Sequence, residues 1–126
     1  MLARGGWQPR YARVLAVASD GEVGFALVDG NGDGQELEAE LWDWQDGGWT
    51  AGSSSGAGGL DWLGAIHAGW AERAHFAFGR ALGADFVTVR LDEVSYRVPV
   101  SGLGIWVFVK AGDADERSEL TLESRE

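Results

Sequence analysis

The stretch Asp29-Gly30-Asn31-Gly32-Asp33-Gly34 places oxygen-bearing side chains at alternate positions, and Glu40 follows at the twelfth place. That spacing satisfies the D-x-[DN]-x-[DN]-G-x5-E pattern of a calcium loop. A hard Ca2+ ion takes about six to eight oxygen ligands. Asp29, Asn31 and Asp33 would present theirs around the turn that Gly34 allows. The flanks argue against an EF-hand, because Gly24 to Val28 and Leu37 to Trp44 read as strands rather than helices. On an extended strand Glu40 sits too far out to close the site, which leaves Glu36 or Glu38 as replacements. A glycine-rich hairpin loop explains the same residues without any metal.

The run that follows divides into two faces. Leu37, Ala39 and Leu41 form one, and Glu38, Glu40, Trp42 and Trp44 form the other. Two indoles beside two carboxylates on a face expected to meet water fit a stacking platform for sugars or a contact patch for another protein. The competing reading is a bulge near Trp42, or a covering helix, that buries both rings.

His67 and His75 are the side chains best suited to general-base work near neutral pH. A small hydrolase-like enzyme would have to use one of them with a nearby acid such as Asp61 or Glu72. No H-x-E or H-x3-H spacing supports a metal site there, and hydrogen-bonded structural histidines account for both. Gly52-Ser53-Ser54-Ser55-Gly56 matches the G-x-S-x-G elbow in form only. That motif requires a sharp strand-to-helix turn, whereas residues 52–59 read as a flexible Gly/Ser loop.

The elements that must position these residues are short strands. Tyr11 to Ala18 and Glu22 to Val28 flank Asp20-Gly21, a dipeptide suited to a tight hairpin turn. Pairing Ser19 with Glu22 sets Ala18, Ala16 and Val14 opposite Val23, Phe25 and Leu27. Both faces of this hairpin are largely apolar, so both should be covered. Phe86 to Leu91 and Val94 to Val100 form a second hairpin across Asp92-Glu93, with Leu91 beside Val94 and Val89 beside Tyr96. Pro99 cannot donate to a ladder and points to an edge strand. Ile105 to Lys110 is again apolar on both faces. Leu60 to Ala74 offers Leu63, Ile66 and Trp70 at helical spacing, which favours a short helix despite Gly64 and Gly69. The residues beyond Gly112 form a charged tail with a weak last strand at Glu119 to Leu122.

The run Phe86 to Arg90, Tyr96 to Val100 and Gly104 to Val109 resembles a pattern in small uncharacterised β-rich proteins of high-GC bacteria. The meander from Tyr11 to Trp49 is similar to the N-terminal half of those proteins. The resemblance implies a β-sandwich-like body and brings no activity with it.

Composition narrows the partners. Ten basic against twenty acidic residues give a net charge of −10. Such a surface repels phosphate backbones and anionic lipid, which argues against nucleic acid and membranes and favours cationic partners. The 126 residues contain no cysteine, so disulfides and thiolate metal sites are excluded. Met1 to Arg10 lacks the apolar core of a signal peptide, and the expectation is a cytoplasmic protein.

The sequence therefore reads as one mainly β domain, an antiparallel β-sandwich of about eight short strands with at most one short helix. Strands apolar on both faces call for a further layer or a homodimer interface. No catalytic constellation is assembled. The expected function is a non-enzymatic binding or protein-interaction module using Glu38, Glu40, Trp42 and Trp44. A calcium-stabilised module and a histidine-based hydrolase are the alternatives.

Overall fold

The structure, a computed structural model, describes residues 13–29, 36–45, 47–59, 63–71, 74–112 and 120–125. Period-two alternation resolves into β1 (Arg13–Asp20), β2 (Val23–Asp29), β3 (Leu37–Gln45), β4 (Gly48–Gly58), β5 (His67–Ala71), β6 (Ala74–Arg80), β7 (Phe86–Leu91), β8 (Val94–Pro99), β9 (Ile105–Ala111) and β10 (Leu120–Arg125). The strands form three sheets, ordered β1-β2-β3-β4, β5-β6-β9 and β10-β7-β8. Every pairing is antiparallel. The fold is all-β, with no helix among the described residues.

The sheet β5-β6-β9 explains why some strands are apolar on both faces. Ile105, Val107 and Val109 of β9 join Phe25, Leu27 and Leu41 of the first sheet in one core. Trp106 and Phe108, pointing the other way, join Val87, Val89 and Val98 of the third sheet in a second. The strand β9 is thus covered on both sides, and its alternation is apolar on both because water reaches neither face along Ile105 to Val109. Phe25 also stacks on Phe76 and Phe78 of β6, with ring centroids 4.9 and 5.9 Å apart.

The β7–β8 hairpin pairs Leu91 with Val94, Val89 with Tyr96 and Val87 with Val98, as the apolar face requires. Asp92 adopts φ 54° in its turn, a value short polar residues tolerate. The first hairpin differs from expectation. Asp20 pairs with Val23 and Ala18 with Phe25, so Gly21 and Glu22 are the loop residues and the register slips by two. A slip of two leaves every side chain on its expected face. A bulge at Leu15 then turns Val14 outward opposite Val28.

Two further expectations are corrected. Residues 67–71 form a strand rather than part of a helix, while 60–62 and 72–73 lie outside the described residues. Gly69, unfavourable in a helix, is required here because its cross-strand partner Phe76 lays its ring where a Cβ would stand, at 2.8 Å. The Gly/Ser stretch read as a flexible loop lies within β4, held by β3 across nine register positions. Gly52 and Ala57 are extra residues in that ladder, and such bulges blunt an edge strand. The last strand expected in the charged tail is β10, which runs on to Arg125 and pairs with β7.

Gly79 gives a direct test of this packing. A Cβ there would lie 2.1 Å from the carbonyl oxygen of Ala65 and 3.0 Å from the Trp106 ring. The neighbouring Arg80 N–H donates to Gly64 O at 3.0 Å, which fixes the two segments together. Gly79→Ala is therefore expected to cost roughly 1–2 kcal/mol through overpacking. Urea denaturation of the purified variant measures this directly, and an unchanged midpoint would contradict the close approach.

Candidate binding face

Glu38, Glu40, Trp42 and Trp44 do share the outer face of the first sheet, opposite Leu37, Ala39 and Leu41, which enter the core. Across the strands, Glu38 stands beside Val28 and Gly56, Glu40 beside Ala26 and Ser54, Trp42 beside Gly24 and Ala51, and Trp44 beside Trp49. Their exposure is unequal. Trp42 is 0% exposed and Glu40 4%, whereas Trp44 is 42% exposed. Ala26 and Val28 on the same face are buried too. The expected platform of two open indoles is therefore corrected: Trp42 is packed, and only Trp44 of the pair meets solvent.

The aromatic partner of Trp44 is Trp49, directly opposite on β4. Their ring centroids are 5.4 Å apart and their planes cross at 81°, the edge-on geometry favoured by aromatic quadrupoles. Trp49 reaches across β3 to rest on β2, where a Cβ on Gly24 would lie 3.1 Å from its ring. Glycine at 24 makes the room that this reach requires. The backbone N–H of Trp44 donates to Glu22 O at 2.7 Å, which continues the β2–β3 ladder and makes the exposed Glu22 the cross-strand neighbour of Trp44. Trp49 was not singled out from sequence, because β4 was not legible there as a strand. The signal was present in Asp46-Gly47 between two tryptophan-bearing runs: Gln45 pairs with Gly48, and Gly47 has φ 79°.

Further along the same face the two carboxyl groups interact. Burial first, then the negative charge of the neighbouring Glu38 and their shared hydrogen bond, together push Glu40 up to about 7. Glu40 faces Ala26, which offers no compensating donor side chain. Glu40 therefore keeps its proton until the pH approaches neutrality.

The other candidate residues are not brought together. His67 and His75 stand on opposite faces of the middle sheet, since His67 pairs with Phe78 and His75 with Trp70. His67 accepts a hydrogen bond from Gly64 N at 2.9 Å and stacks on Phe78, which gives it a structural role. The side chain of His75 is buried, and its Nε2 meets no partner among the described residues. Asp29 is fully buried at the end of β2 and lies opposite Leu37, on the face away from Glu40. Asp29 and Glu40 therefore cannot close one ligand ring. Asn31 and Asp33 lie outside the described residues, and among those described no cluster of three His, Cys, Asp or Glu could hold a metal.

A concavity separates the edges of β1 and β9. The two edges meet at Asp20, whose Oδ2 accepts from the Ala111 N–H at 2.8 Å and lies 3.2 Å from Lys110 Nζ. The Ala111 N–H, opposed by burial and aided by Lys110, holds the Asp20 carboxyl below its ordinary value. Away from this clasp the edges diverge around a cleft lined by Leu15, Ala16, Val100, Ile105 and Val107, an apolar surface without a charged side chain. It offers no chemistry of its own.

No known protein family, curated protein or solved structure matches the chain. Among the described residues, no helix is long and apolar enough to cross a membrane.

Proposed function

We propose that this protein is a non-enzymatic binding module that meets a protein partner through the outer face of its first sheet, at the Trp44–Trp49 end. The observation that carries this reading is the exposure of Trp44 at one end of a face whose middle, Ala26, Val28, Glu40 and Trp42, is buried. A large indole left in water by its own domain, and oriented by a second indole, is the kind of anchor found at interface centres. The Glu38–Glu40 pair belongs to the packed part of the face and supports the strand rather than touching a partner. The absence of cysteine suits a reducing compartment such as the cytoplasm.

The reading separates a contact residue from a structural one. Trp44→Ala loses one edge-on ring contact and the covered half of the side chain, so it is expected to cost about 1–2 kcal/mol, less than truncation of a fully buried indole. Urea denaturation of the variant and the parent chain supplies the comparison. A loss of several kcal/mol would make Trp44 a core residue, and the proposed contact face would go with it.

A further inference from the structure

We infer that the Trp44–Trp49 corner binds a cationic side chain, a lysine or arginine carried by a basic peptide segment of the partner. This rests on the reading of that face as a contact surface and names what the surface recognises. Two indole planes crossing at 81° form a floor and a wall, with Trp49 lying against Gly24 and Trp44 half in solvent beside it. The faces of indole rings carry the negative lobe of their quadrupole and attract cations within about 6 Å of the centroid. Glu22, exposed and held next to Trp44 through its backbone carbonyl, brings an acidic side chain to the same end of the sheet.

The molecule as a whole points the same way. Its net charge of −10 draws basic segments from a distance and repels acidic ones. A neutral sugar would use an indole face without any need for Glu22 or for this charge. An apolar partner would be served better by the uncharged cleft between β1 and β9 than by a corner with an exposed glutamate as neighbour.

The experiment titrates an unstructured dodecapeptide of alternating lysine and serine into the full chain, following the indole N–H signals by NMR. The same titration is run with the peptide acetylated at every lysine, and with cellohexaose. The expected result is binding that shifts Trp44 and Trp49, is lost on acetylation, and weakens about fivefold to tenfold in Trp44→Leu. Glu22→Gln should weaken it several-fold at low salt. Three results would overturn the inference. The peptide could bind Trp44→Leu as well as the parent, which would reduce the effect to general attraction by an acidic surface. Cellohexaose or the acetylated peptide could shift the indoles as strongly as the lysine peptide, or no probe could shift them. None of these touches the contact face itself, which stands or falls on the cost of Trp44→Ala.

Discussion

Replacing Trp106 with alanine is expected to lower the unfolding free energy by about 3–5 kcal/mol, the range for truncating a large buried aromatic. Trp106 is 0% exposed and lies between the middle and third sheets, with Val87, Val89 and Val98 around it. Its cross-strand partner is Gly79, where a Cβ would stand 3.0 Å from the ring. No small neighbour can close such a gap without moving a sheet. Trp106→Phe should behave differently. The indole N–H has no acceptor among the described residues, and phenylalanine deletes that unsatisfied donor while keeping most of the ring. The phenylalanine variant should therefore lie within about 1.5 kcal/mol of the parent. Equal losses for both variants in urea denaturation would contradict a core packed on both faces of the middle sheet.

The second large effect is a fall in stability as pH rises. Glu40 titrates near 7 in the folded chain, against 4.5 for an ordinary glutamate. Between these values the folded state keeps a proton that the unfolded chain has released, so stability is fully present below 4.5 and is lost as pH climbs through 7. The gap corresponds to roughly 3 kcal/mol at full strength, and solvent around the half-exposed Glu38 brings the swing toward about 2 kcal/mol. Asp20 has the opposite sign, but its lowered carboxyl acts below 3.8, outside this window. Glu40→Gln should abolish the slope and leave the variant at least as stable as the parent at pH 8. Denaturation series at pH 5, 6, 7 and 8 report both quantities. A parent profile that is flat, or that rises, would mean that the Glu40 carboxyl is in contact with water.

The parts of this fold that were legible in the sequence are those where one face is apolar and a turn is unambiguous. The β7–β8 hairpin met both conditions, and its register follows from Val87, Val89 and Leu91 alone. In the β1–β2 hairpin the faces were legible and the register was not. Asp20-Gly21 and Gly21-Glu22 are both acceptable loops, and moving between them shifts the pairing by two without exposing an apolar residue. β4 was hidden because Gly52 to Gly59 has no alternation to read. As an edge strand it is held by its ladder with β3, and a local preference for turns is overridden. Residues 67–71 were misread for a related reason. Leu63, Ile66 and Trp70 fit a helical period by coincidence, while the glycine that excludes a helix, Gly69, is there to receive Phe76.

The candidate site shows the same division. Alternation placed Glu38, Glu40, Trp42 and Trp44 on one face, and the structure keeps them there. Which of them meets water depends on Trp49 and Gly24, residues on two other strands. Burial decided by neighbours remote in sequence leaves no local trace, so Trp42 and Trp44 look equivalent until the sheet is assembled.

Labelling the chain with 5-fluorotryptophan and adding a soluble gadolinium chelate resolves this directly, since each indole reports its own access to solvent by 19F NMR. Strong broadening of Trp44 beside sharp, protected signals from Trp42 and Trp106 is the predicted pattern. A protected Trp44, or a Trp42 broadened as severely as its neighbour, would leave the first sheet without the aromatic corner on which its proposed role depends.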